Sequence, residues 1–146
     1  MSNHTVFTKQ LAAASANNIA LSQTPGSAAL TLNGSAATGG VATIDTVTGA
    51  NIEIGRRVII TSGGNDTGIN WIVVGTNSSL QPITDTFAGV SGGAAQSNLD
   101  FVTVTSITPS GAVASTALAG TNGVGSSRWY TWNYKITPPM NLSFAV

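Results

Sequence analysis

Five carboxylates and a single imidazole are the residues of this chain best suited to catalysis or metal binding: Asp45, Glu53, Asp66, Asp85, Asp100 and His4. No two of the carboxylates are close in sequence. A glycosidase-like pair would therefore have to assemble in space, and each acid reads equally well as a turn residue or a solvent-facing strand position. His4 has no carboxylate partner nearby in the sequence. A metal site or a catalytic triad needs several convergent groups, so His4 reads as an exposed side chain. The chain has no cysteine, which excludes disulfide frameworks, thiolate metal sites and cysteine nucleophiles and fits synthesis in a reducing compartment. Asn65-Asp66-Thr67-Gly68 offers oxygens to a calcium ion but lacks the acidic string of a calcium loop. It reads instead as a turn in which Asn and Asp bond their own backbone. Gly63-Gly64 and the stretch Gly120 to Gly125 lack the Gly-Lys-Ser/Thr ending of a phosphate loop. Four Asn-X-Ser/Thr matches, beginning at Asn3, Asn65, Asn77 and Asn141, are expected by chance in a chain so rich in these residues. These residues specify no catalytic site, metal site or cofactor, and the chain reads as a non-enzyme.

Two other groups read as contacts. Arg56 and Arg57 are adjacent, so in an extended strand one faces each side of the sheet. One reading has one arginine solvated and the other satisfied at a sheet edge; the other places them in an intersubunit contact, where arginine is enriched. Near the C-terminus Tyr130, Trp132, Tyr134 and Ile136 alternate with Trp129, Thr131, Asn133 and Lys135. An aromatic stripe of this kind stacks sugars or bases, or forms core or a subunit interface anchored by Tyr and Trp. Trp129, Tyr130, Trp132 and Tyr134 join the two arginines as candidate interface residues.

What surrounds these groups is unusual in its lack of charge. Charged residues make up 7% of the chain, against about 25% in ordinary soluble domains. Thr, Ser, Asn, Gly and Ala take their place. Little like-charge repulsion keeps copies of such a chain apart, which suits assembly into something larger. The net charge of zero gives no electrostatic footprint for nucleic acid or an anionic membrane. No run approaches the ~18–20 apolar residues that span a bilayer.

At 146 residues the chain is most simply one domain preceded by an arm, with the arm over 1–27 and a β-sandwich over 28–146. The arm holds the one helix candidate, Thr8 to Ala16, about two turns long and marginal alone. Ala12-Ala13-Ala14-Ser15-Ala16 mimics a signal cleavage site, but the apolar stretch is shorter than the usual ~7–15 residues and only Lys9 precedes it. From Ala28 onward short strands alternate with turn clusters. The candidates are Ala29–Leu32, Val41–Asp45, Asn51–Ser62 with a bulge at Gly55, Ile69–Val74, Ile83–Phe87, Leu99–Ile107, Val113–Leu118, Trp129–Ile136 and Leu142–Val146. Gly63 to Gly68 reads as a hairpin connection. Roughly eight or nine strands without a second helix predict an all-β sandwich, and the strand number favours a jelly-roll-like form.

The string Arg56-Arg57-Val58-Ile59-Ile60-Thr61-Ser62-Gly63-Gly64-Asn65-Asp66-Thr67-Gly68-Ile69 resembles small virion structural proteins of tailed bacteriophages. That family carries an Arg-Arg-Val strand, an Asn-Asp-Ser/Thr-Gly turn and a strand leading into a Gly-Thr turn, here Trp71 to Asn77. Ile83-Thr84-Asp85-Thr86-Phe87, Phe101 to Thr108, Ser22 to Pro25 and Leu30 to Gly34 are similar too. The resemblance implies a non-enzymatic virion component, foremost a capsid decoration or cement protein. Such proteins are small β-rich modules, several of them jelly rolls. They are made in the host cytoplasm and sit as dimers or trimers over junctions between major capsid subunits on the outer head surface. The partners it implies are the major capsid protein and further copies of the chain, without direct nucleic-acid or membrane contact. The family supplies no motif for capsid-contact residues. The alternatives are a tail or fibre component, binding a host-surface carbohydrate or acting as an adaptor, and a secreted adhesin-like domain.

Overall fold

The computed structural model describes residues 13–44, 54–113 and 115–127. Alternation of side chains builds its strands. In Ile54–Ser62, Val58 and Ile60 are buried while Ile59 and Thr61 face outward; in Asn70–Thr76, Trp71 and Val73 are buried while Ile72 and Val74 face outward. β-Branched residues suit such a pleated, half-buried surface. Nine strands result: β1 (Ser15–Gln23), β2 (Ala37–Thr38), β3 (Val41–Thr43), β4 (Ile54–Ser62), β5 (Asn70–Thr76), β6 (Pro82–Ala88), β7 (Ala94–Phe101), β8 (Thr103–Pro109) and β9 (Ala117–Ser127). There is no helix among the described residues.

The strands form two antiparallel sheets, in the orders β1-β9-β4-β7 and β2-β3-β8-β5-β6. Both feed one core. Ile19, Val58, Ile60, Phe101 and Ala119 enter it from the first sheet, and Ala42, Trp71, Val73, Phe87, Val104 and Ile107 from the second. The all-β sandwich expected from the strand and turn pattern is the architecture observed. The pairing is nested. β5 pairs with β6, β4 with β7, β3 with β8 and β1 with β9. The chain thus doubles back at the β5–β6 turn, and the doubled ribbon wraps so that β4 also meets β9 and β5 meets β8.

Several local expectations change. Ser15–Gln23 is a strand, not part of an arm or helix. It pairs with β9 and buries Ile19 and Ala20 completely, so the sandwich begins well before residue 28. The rest of the expected helix, Thr8 to Ala12, lies outside the described residues. Ala29–Leu32 is irregular, although Leu30 is buried and its N–H donates to the Ile107 carbonyl at 2.8 Å. β4 carries no bulge at Gly55: it pairs regularly with β9 from Ile54 to Arg56, and the register shifts between Arg56 and Val58, where three residues of β9, Asn122 to Val124, lie opposite Arg57 alone. Leu99–Ile107 is two strands in different sheets. Val102 turns between them, its N–H bonded to the Thr76 carbonyl and its carbonyl to the Ile44 N–H, each at 2.8 Å. The loop after β4 crosses from one sheet to the other and is not a hairpin. β9 runs on through Gly120, Gly123 and Gly125 to Ser127, because β4 and β1 supply hydrogen bonds that the three glycines do not disrupt.

Candidate functional site

The described charges are placed where they offer no reactive cluster. Arg56 points inward and is 1% exposed, and its Nη2 donates to the Asn122 carbonyl oxygen. Arg57, next in the strand, points outward. Its Nε donates to Asp100 Oδ1 at 2.8 Å, and its Nη1 to the Ser97 carbonyl at 2.9 Å. The expected split of the two arginines across the sheet is therefore observed, and only Arg57 reaches the surface. Asp85 is buried on β6 and accepts the backbone N–H groups of Asn98 and Leu99, the latter at 3.0 Å. It locks the edge of one sheet to the edge of the other. Asp66 is 1% exposed, and neither carboxylate oxygen has a hydrogen-bond partner among the described residues. Asn65 Oδ1 accepts from Thr67 N and Oγ1 at 3.2 and 2.9 Å, so this turn is built by Asn65 with Asp66 turned inward. Among the described residues no three His, Cys, Asp or Glu side chains gather to hold a metal. His4, Asp45, Glu53, Trp129, Tyr130, Trp132 and Tyr134 lie outside the described residues.

Among the described residues the surface left by this arrangement is neutral. Of the described charged side chains only Arg57 and Asp100 are not buried, and they pair. On the outer face of the five-stranded sheet three cross-strand rows run Thr43–Thr103–Thr76, Ser106–Val74–Thr84 and Thr108–Ile72–Thr86. These rows contain hydroxyls and methyls and no charge.

The β1 edge is closed as well. Along β1, Asn33 Oδ1 accepts the Leu21 N–H at 2.9 Å, and Gln23 both accepts from Thr31 N at 2.9 Å and donates to Thr31 O at 3.0 Å. Gly34 N and Ala36 N donate to the carbonyls of Ile19 and Asn18 at 3.0 and 2.8 Å. Side-chain amides here stand in for a neighbouring strand. Closing an edge in this way removes the template for strand-to-strand association. The sequence shows Asn33-Gly34 only as a turn; that its amide would reach back twelve residues to Leu21 was not legible.

The two ends of the sandwich differ. At one end the loops 63–69, 89–93 and 110–116 bond to one another: Gly63 N to Thr116 O at 3.0 Å, Asp66 N to Val90 O at 3.1 Å and Gly92 N to Gly64 O at 2.8 Å. The opposite end carries the β5–β6 tip, Asn77 to Gln81, Ile44 just after β3, and the strand ends Ile54 and Ser127. The tip is organised by Asn77, whose Oδ1 accepts from Ser79 N and Gln81 N at 2.9 and 3.0 Å. It presents Leu80, 55% exposed and at φ +59°.

The chain matches no protein-family model, no curated protein and no solved structure. What remains to guide a functional reading is the neutral surface of the described residues, the closed β1 edge and the sequence resemblance.

Proposed function

We propose that this chain is a structural component of a tailed-bacteriophage virion: a decoration or cement protein that binds the outer head surface and bridges neighbouring major capsid subunits. The observation that carries the reading is the surface. Among the described residues it has a threonine-rich outer face on the five-stranded sheet, a closed β1 edge and one internally neutralised ion pair. Such a surface suits many copies packed side by side without charge repulsion. Closed edges favour association through faces and loops over strand addition. The nested pairing supports the finer reading of a jelly roll, an eight-stranded antiparallel ribbon rolled into two sheets, with β2 added beside β3. The resemblance of Arg56 to Ile69 and of Phe101 to Thr108 to phage virion proteins supplies the setting.

In that role the chain works by contact alone. Each copy spans two or more capsid subunits that packaged DNA pushes apart, and linked weak contacts gain strength from their effective concentration. Arg57 is the described candidate for an intersubunit contact; the aromatic positions Trp129, Tyr130, Trp132 and Tyr134 complete the proposed set. The test is a particle lacking this chain. Heads should assemble, then lose DNA more readily on heating or osmotic shock. Equal resistance with and without the chain would overturn the reading.

A further inference from the structure

The chain holds two Asn-Gly pairs, Asn33-Gly34 and Asn122-Gly123. In such a pair the glycine backbone nitrogen has an open path to the asparagine Cγ, because no Cβ crowds it and the glycine backbone turns freely. The fold holds the two pairs differently. Gly34 N donates to the Ile19 carbonyl at 3.0 Å, and a Cβ added at Gly34 would lie 2.3 Å from the Asn18 carbonyl oxygen. Asn33 Oδ1 accepts the Leu21 N–H at 2.9 Å. That pair is clamped in a packed edge. Gly123 is exposed, has no register partner in β1 or β4, and a Cβ added there meets nothing within 4 Å. It lies in the stretch of β9 opposite Arg57, where the ladder is interrupted. The half-buried Asn122 side chain donates from Nδ2 to Gln96 Oε1 at 2.7 Å.

A further contact singles out the second pair. Arg56, 1% exposed, donates from Nη2 to the Asn122 carbonyl oxygen. That oxygen belongs to the same peptide unit as the Gly123 nitrogen. When the nitrogen gives up its proton and becomes nucleophilic, amide resonance spreads the negative charge onto the oxygen. A guanidinium already fixed on that oxygen stabilises the charge as it develops.

We infer that Asn122-Gly123 is a self-modification site, at which the folded chain converts its own side-chain amide to a carboxylate. The Gly123 nitrogen bonds to Asn122 Cγ. The Cγ–Nδ2 bond breaks, and Nδ2 leaves as ammonia with the proton lost from the Gly123 nitrogen. Water then opens the five-membered imide at one carbonyl or the other, giving aspartate or isoaspartate. Water is the only co-reactant. The product adds one negative charge, opposite Arg57, to a surface that is neutral among the described residues.

The experiment incubates the full chain in warm, mildly alkaline buffer and follows both pairs by peptide mass spectrometry. Wild type is compared with Gly123→Ala and with wild type held unfolded in urea. In the folded chain Asn122 should convert at least about tenfold faster than Asn33, the ratio imposed if the clamped pair must first open at a cost of about 1.4 kcal/mol. In urea the two pairs should convert at similar rates, since neither the clamp nor the Arg56 contact survives unfolding. Asn122 should convert at least as fast folded as in urea. Gly123→Ala, whose Cβ the fold accepts, should keep the wild-type thermal midpoint and lose most of the conversion at Asn122. Equal rates at the two pairs in the folded chain, protection of Asn122 by folding, or undiminished conversion in Gly123→Ala would each overturn the inference.

Discussion

The two ends of the sandwich solve the same problem, how to turn a chain from one strand to the next, in opposite ways. At the glycine-loop end the turns are stitched to each other by backbone hydrogen bonds, and a Cβ added at Gly89 would lie 2.5 Å from the Asp66 carbonyl oxygen. At the tip end the β5–β6 loop is stitched to itself through Asn77 and holds a leucine out to solvent. The first arrangement spends its polar groups on mutual closure. The second keeps them within one loop. Stability should therefore be more sensitive to change at the first end than at the second.

The largest expected effect tests the common frame on which both ends rest. Deletion of Met1 to Gln23 removes β1, exposes the edge of β9 and takes Ile19 and Ala20 from the core. It should forfeit a large share of the roughly 5–15 kcal/mol that holds a domain together, seen as loss of a cooperative denaturation transition. Unchanged unfolding would make β1 a dispensable arm. At the glycine-loop end, Gly89→Ala forces its Cβ against the Asp66 backbone and should cost about 1–3 kcal/mol. Gly123→Ala, where a Cβ meets nothing within 4 Å, should change stability by no more than about 0.5 kcal/mol. Equal midpoints for the two variants would erase the contrast in packing. Asp66→Asn keeps the shape of the glycine-loop end while removing a buried charge without a hydrogen-bond partner. It should stabilise by about 1 kcal/mol; a marked loss would mean that the carboxylate serves a bond or ion that the fold depends on. The smallest effect belongs to the surface pair. Arg57→Ala breaks a partly exposed ion pair with Asp100 and should cost about 0.2–1 kcal/mol in urea denaturation.

Much of this architecture was legible in the residues. Alternation in Val58 to Thr61 and in Trp71 to Val74 marks strands because one face is buried. The split of Arg56 from Arg57 follows from the pleat alone. What was not legible depends on partners distant in the chain. β1 looks like an arm because Ser, Ala and Asn dominate it, and only its pairing with β9 makes it a strand. Phe101 to Thr103 looks continuous because its residues are all strand formers, yet the hydrogen bonds of Val102 to Thr76 and Ile44 divide it between sheets. The same holds at the surface. Low charge predicts a neutral exterior, but not that Asp85 would close one edge or that Asn33 and Gln23 would close another. The strain at Leu80 has no sequence signal beyond a leucine among turn residues.

The measurement that bears most directly on the central claim is a reconstruction of the virion that carries this chain. The account predicts β-sandwich density in many copies on the outside of the head, over the junctions between major capsid subunits. Density confined to the tail or its fibres, or a head surface without it, would contradict the account.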